Sequence, residues 1–176
     1  MIKKLLVSTV ALATLSTAVM ADKYAGAGLA VESVDGLDSG ISLVLNGGMT
    51  LDDVLDDVNV GPGTLAVEGE FSYSVIAPSY STWWGSSIDV TYMTLGAYAA
   101  YIYDINKEFY VKPRAGLTLV SGSVSGGGSV TDDGIKLAVG VGGGYKLNKQ
   151  MNVFADLNMI SFGDMMHLTA GVEYHF

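Results

Sequence analysis

His167 and Thr169 stand two residues apart in "HLTAGVEYHF", so on a strand they share one face. An imidazole can take the proton of a threonine hydroxyl, provided a carboxylate holds the ring in place. The same two side chains also suit a plain hydrogen-bond network, and that is the role we assign them. His175, beside the terminal Phe176, reads as a rim residue. The run "DDVLDDV" sets Asp52, Asp53, Asp56 and Asp57 at helical spacing, without the alternating ligands and central glycine of a calcium loop. A short solvated helix is the expectation there. "VGVGGGY" is glycine-rich but lacks the helix and ribose-binding acid of a dinucleotide site. No catalytic residue, cofactor or metal ligand is therefore expected. What remains is a set of mixed sign: Glu68, Glu70, Asp156 and Glu173 against Lys112, Arg114 and Lys136. Whether these charges lie in water or in a closed interior depends on the elements that carry them.

Those elements have a period of two. Met166, Leu168, Ala170, Val172, Tyr174 and Phe176 share one face of the last segment, with His167, Thr169, Gly171, Glu173 and His175 on the other. Similar alternation runs through "TLAVEGEFSYSVI", "EFYVKPRAGLTLV", "GIKLAVGVGGGYKL" and "QMNVFADLNMI", where Phe154 breaks the rule on the polar face. Segments near 23–33, 40–49 and 88–103 are less regular, and "TYMTLGAYAAYIY" carries aromatics on both faces. Together they make about eight strands. "DINK" and "LNKQ" are hairpin turns, whereas "APSYSTWWGSS" and "SGSVSGGGSVTDDG" read as long loops. Two connections bend this asymmetry, a short "SFGD" and a long acidic "TLDDVLDDVNVGPG".

The N-terminus reads differently. "MIKKLLVSTVALATLSTAVMA" has Lys3 and Lys4, an apolar run and a small-residue cleavage site, the layout of a secretory signal peptide at residues 1–21. The run is short of the ~20 apolar residues a membrane helix needs. Residues 22–176 then form one domain. The chain holds 18 acidic and 9 basic residues, a net charge of −9, and the signal removes two of the basic ones. Such a balance argues against nucleic acid. No cysteine is present, so neither a disulfide nor a lipid-anchor cysteine is available.

Alternation fits a soluble sandwich or a membrane barrel. Three features favour the barrel. Glycines and paired charges on the polar face suit a narrow interior, where small residues make room. Tyr101, Tyr103, Phe109, Tyr145, Tyr174 and Phe176 fall toward one end of the strands, and Tyr73, Tyr80, Trp83, Trp84 and Phe162 toward the other, as two interfacial girdles. Hydrophobic residues make up 49% of the chain and charged ones only 15%, which suits an apolar solvent around the fold. The expected fold is all-β, a closed antiparallel eight-stranded transmembrane barrel whose interior is just wide enough for side chains.

The export signal, "TLAVEGEFSYS", "LGAYAAYIYDINKEFYVKPRAGL", "AVGVGGGYKLNKQMNVFADL" and the terminal "GVEYHF" resemble the small outer-membrane β-barrel family of Gram-negative bacteria. This is the porin-like or OmpA-type eight-stranded domain. The likeness covers essentially the whole mature chain. It implies residence in the outer membrane with lipids and lipopolysaccharide as partners, as a monomer with a structural or surface-interaction role and a plugged lumen. The alternatives it leaves are a narrow low-conductance channel and a lipid-A-modifying enzyme of the kind that uses a His-x-Ser pair, where this chain has Thr169. The resemblance also makes Phe176, supported by Tyr174 and Val172, the signal read by the barrel-assembly machinery. Asp35, Asp38, Asp89, Asp132, Asp133 and Asp164 fall in the outer loops, where they can meet lipopolysaccharide phosphates through divalent cations. Pro113 departs from the pattern and is expected at a bulge. No peptidoglycan-binding domain is expected after the barrel, so a tethering role is not carried over. Export is checked by N-terminal sequencing of the envelope-associated protein: it should begin at Asp22, and a retained Met1 overturns the signal peptide.

Overall fold

A strand that alternates large apolar residues with small or polar ones has two unlike faces, and a sheet of such strands separates two unlike environments. A computed structural model describes residues 22–52, 60–81, 87–124 and 128–176, and it shows that separation closed into a cylinder. The strands are β1 (Lys23–Val34), β2 (Gly40–Thr50), β3 (Thr64–Ile76), the short β4 (Ser79–Ser81), β5 (Ser87–Asp104), β6 (Phe109–Val124), β7 (Gly128–Lys146), β8 (Met151–Ile160) and β9 (Met165–His175). Their order around the wall is β3-β2-β1-β9-β8-β7-β6-β5, and β3 pairs with β5 to complete the ring. β4 only extends β5 at the loop end, so the wall is an eight-stranded antiparallel barrel. The proposed signal peptide, Asp53, Asp56, Asp57, Trp83 and Trp84 lie outside the described residues.

The register fixes which residues face in. β1 meets β9 from Tyr24↔His175 to Val34↔Met165, and β2 from Lys23↔Met49 to Glu32↔Gly40. This turns Glu32, Ser42, Asp156 and Thr169 inward, each buried almost completely. Leu29, Leu117 and Ile135 point outward with 59%, 54% and 67% of their surface exposed. Water makes such an arrangement costly, whereas hydrocarbon favours it, because each apolar side chain stays in an apolar solvent. The strand that carries aromatics on both faces resolves by parity. Tyr98 is buried in the lumen, and Tyr103 faces out with 39% of its surface exposed.

Side chains shape the ends of the cylinder. Asn106 Oδ1 accepts the backbone N–H groups of Glu108 and Phe109 at 2.8 and 2.9 Å. Asn148 Oδ1 does the same for Gln150 and Met151 at 2.8 and 3.0 Å. Each asparagine thus mimics a backbone turn and lets the next strand start at once. Above them, Phe109 and Tyr145 pair at 5.0 Å, and Tyr174 meets Phe176 edge-on at 5.2 Å. At the other end, Asp35 N–H donates to the Asp164 carbonyl at 3.0 Å and Asp38 N–H to that of Ser79 at 2.8 Å.

Two expectations are corrected. The segments read as long outer loops contain strand. Val124 pairs with Gly128 and Ser81 with Ser87, so the hairpins continue beyond the main wall. Ser, Thr and Gly suit this because a hairpin above the membrane needs no apolar face. Pro113 also makes no bulge. It pairs in register with Val141, and the β5–β6 register is the same on either side of it, from Ala100↔Arg114 to Tyr103↔Val111. Its missing N–H interrupts the ladder without displacing it. The register shifts lie instead between Ile41 and Ser42 and between Val120 and Gly122.

Closure through β1 and β9 has a direct test. Ala27 faces Val172 across that seam, and the chain contains no cysteine to interfere. An Ala27→Cys/Val172→Cys variant should form a disulfide on oxidation of the folded protein, giving a faster-migrating denatured band on a non-reducing gel. Failure to cross-link would mean that the seam is open or its register differs.

Candidate functional site

The interior is the chemically distinctive part of the molecule, and its lower half is built around two cations. Lys112 and Arg114 sit two apart on β6, so both side chains project into the lumen. The β7 residues opposite them are Gly142 and Gly140. A Cβ at Gly142 would fall 1.8 Å from Asp156 Oδ1, so bare backbone at this position is what lets the β8 carboxylate approach the cations. The glycine run therefore serves side-chain packing.

Lys112 Nζ lies 2.7 Å from Glu68 Oε1, 3.4 Å from Glu173 Oε1 and 3.7 Å from Asp156 Oδ2. Arg114 Nη1 reaches Glu68 Oε2 at 3.2 Å. Its Nη2 reaches Glu70 Oε2 at 2.6 Å and Asp156 Oδ2 at 3.5 Å. Neutral groups complete the shell. Arg114 Nε donates to Asn158 Oδ1 at 2.8 Å, and Asn158 Nδ2 donates to Glu70 Oε1 at 3.1 Å. Tyr24 O–H donates to Glu68 at 2.5 Å, Tyr110 O–H to Glu173 at 3.0 Å, and Asn46 Nδ2 to Glu173 at 3.1 Å. The Tyr98 ring lies 4.7 Å from the guanidinium carbon. Buried charges persist only when paired and hydrogen-bonded in this way.

Six of the seven charges singled out in the sequence thus converge from β3, β6, β8 and β9. Lys136 shares the lumen face but lies farther toward the loop end, opposite Thr118. Sequence reasoning missed Tyr24, Tyr98 and Asn46 as partners. The available signal was parity: each occupies the same strand face as glycine or a charged residue.

A second polar layer lies nearer the loop end. Glu32 stands directly across from His167 in the β1–β9 register. Ser42 Oγ donates to Glu32 Oε2, and Ser74 Oγ donates to the same oxygen at 2.8 Å. His167 is fully buried, and among the described residues neither its ring nitrogens nor the Thr169 hydroxyl meets a hydrogen-bond partner, so the hydrogen-bond network expected of this pair is not formed there. The two residues are therefore neither linked to each other as base and nucleophile nor open to lipid. Both ends of the interior are occupied. Tyr98, Val120, Ala138, Ile160 and Met165 pack together toward the loop end, with Val34 and Tyr92 against them. At the turn end Tyr24 stacks on His175 with centroids 5.3 Å apart, and Asn152 bonds the His175 ring at 2.8 Å. The lumen is filled by side chains.

Val172, Tyr174 and Phe176 line up on the outer face of β9 and its end. Phe176 N–H donates to the Lys23 carbonyl at 2.9 Å, which extends the seam with β1 to the last residue.

A family model described as outer membrane protein beta-barrel domain matches residues 5–176. No curated protein sequence matches significantly. Among solved structures, the chain is similar to Ail, the attachment invasion locus protein of Yersinia pestis, in complex with the heparin analogue sucrose octasulfate. Identity is 16% and the TM-score 0.60, covering 90% of this chain and 100% of that one. Neisserial surface protein A is similar at 23% identity and a TM-score of 0.58, over 89% and 97% of the two chains. So is the N-terminal β-barrel domain of Pseudomonas aeruginosa OprF, at 13% identity and 0.52, over 88% and 97%. At these identities the likeness is one of fold.

Removing one side of the ionic cluster should be costly. Arg114→Met leaves Glu68 and Glu70 facing each other without the guanidinium, and breaking a buried pair costs about 3–5 kcal/mol. Urea unfolding in detergent should show that loss, with partial recovery in Arg114→Met/Glu70→Gln. A loss below about 1 kcal/mol would mean the cluster behaves like a solvated surface pair.

Proposed function

The chain belongs to the outer membrane protein beta-barrel domain family, and on that premise we propose that it is a non-enzymatic, monomeric barrel of the cell envelope. In this reading the plugged interior supplies stability and the loop end supplies contact with the surroundings. The observation that carries the reading is the interior itself, occupied by an interlocked ionic cluster and closed by packed side chains at both ends. A continuous aqueous path would require the cluster to come apart. A lipid-A-modifying activity would require a nucleophile within reach of lipid, whereas His167 and Thr169 face the sealed lumen and are 0% and 1% exposed.

The loop end has a one-sided charge. Asp35, Asp38, Asp89 and Asp164 are all exposed there, and Lys136 belongs to the lumen face. Direct binding of polyanions is thereby disfavoured, in contrast to what basic residues would offer. Lipopolysaccharide phosphates are met through bridging divalent cations, and protein partners are cationic. The exposed outward series Val172, Tyr174 and Phe176 serves as the signal for the barrel-assembly machinery during biogenesis.

Three measurements test this reading together. Fractionation with heat-modifiable gel migration should place a folded barrel in the outer membrane. Planar-bilayer recordings should show no stepwise conductance; steady steps altered by Arg114→Met would replace the plug with a channel. Lipid-A mass spectra should be the same with and without the gene. An acyl-chain difference that disappears in His167→Ala would instead establish an enzyme.

A further inference from the structure

The outer wall is not uniformly covered. On the lipid-facing side near the turn end lies a shallow, open groove of about 570 Å³. Its floor is Gly143, an outward position with no side chain, flanked in register by Val111 on β6 and Ala155 on β8. The paired rings of Phe109 and Tyr145 stand at its turn end, and Val153 lines the β8 side. The lining is almost wholly apolar.

Two features identify the occupant. The groove opens onto the outward apolar wall, so its surroundings are acyl chains. At the rim, the turn of residues 105–108, at the β6 edge of the groove, carries Lys107 beside the exposed Glu108, and the turn of residues 147–150, which joins β7 to β8, carries Lys149. Both lysines are exposed. By contrast, the neighbouring Lys146 is held by Asp104 at 2.7 Å. An apolar slot ending at aromatic rings, with cations just beyond, matches an acyl chain joined to a phosphate headgroup. Short turns mark the periplasmic side of such barrels. We propose that this groove is a binding site for one anionic phospholipid of the periplasmic leaflet. Its acyl chain would lie over Gly143, its glycerol region at the Phe109 and Tyr145 rings, and its phosphate between Lys107 and Lys149. The site goes beyond the envelope role proposed above and requires only that the barrel is inserted in a bilayer, which heat-modifiable migration reports separately.

The test uses the full mature protein in nanodiscs of mixed phosphatidylglycerol and phosphatidylethanolamine, released into detergent for native mass spectrometry. The wild-type barrel should retain one phospholipid, with phosphatidylglycerol enriched over its share of the nanodisc. Ala155→Phe fills the groove from β8 without altering the backbone at Gly143, and should lower the one-lipid peak at least about tenfold, equivalent to about 1.4 kcal/mol. Gly69→Leu enlarges an outward position where an added Cβ meets nothing within 4 Å, and should leave the peak unchanged. Lys107→Gln/Lys149→Gln should abolish the phosphatidylglycerol enrichment while a lipid is still retained. The proposal is overturned if folded Ala155→Phe keeps its lipid, if Gly69→Leu loses it equally, or if the double lysine variant keeps the enrichment.

Discussion

Two cations enclosed by four carboxylates set the terms for the rest of this barrel. Lys112 and Arg114 have no access to bulk water, and hydrocarbon lies just beyond the wall that carries them. Ions in that position must meet their counter-charges inside the cylinder or not be charged at all. The demand propagates outward from the cluster. Glu68 and Glu70 must come from β3, Asp156 from β8 and Glu173 from β9, so four strands are held at a definite stagger around one centre. A slip of one residue in any of them would turn its charges into lipid. The network thus specifies register as well as filling space.

The opposite demand comes from the outside. Every second residue must suit hydrocarbon, and every backbone group must be paired, which only a closed wall achieves. Glycine reconciles the two. On the inner face, Gly140, Gly142 and Gly144 leave room for Asn158, Asp156 and the Tyr110 ring, each of which occupies the space a side chain would need. One strand gives up its inner surface so that its neighbours can reach across it.

Much of this was legible in the sequence because barrel strands are written in a code of period two. The segments around Glu68, Arg114, Asp156 and Glu173 show it clearly, and parity alone puts those residues on one side of the wall. The first strand was harder to interpret. Its inner face, Tyr24, Gly26, Gly28, Ala30 and Glu32, mixes an aromatic, three small residues and one acid, so neither polarity nor size marks it as lumen. Tyr98 was ambiguous for a similar reason: tyrosine suits an interface as well as an interior, and only the register with neighbouring strands separates it from Tyr103. The pairing of Lys112 with Glu68, 44 residues apart, depends on stagger around the cylinder, which no local pattern encodes. Pro113 removes a donor, and a missing donor does not by itself displace a strand. A ladder can lose one rung and continue in step.

The β1–β9 seam also bears on how the molecule comes into being. Its contacts join residues from the two extremes of the domain, Tyr24 with His175 and Ala30 with Thr169. Contacts of such long sequence separation are slow to form, because the intervening chain must be closed first. Until they form, β1 and β9 each present an unpaired edge, ready to recruit another chain and unable to rest in lipid. The hydrogen bonds of this seam are therefore among those that permit membrane residence at all. Closure of the wall and residence in lipid are thus tied to the same set of hydrogen bonds.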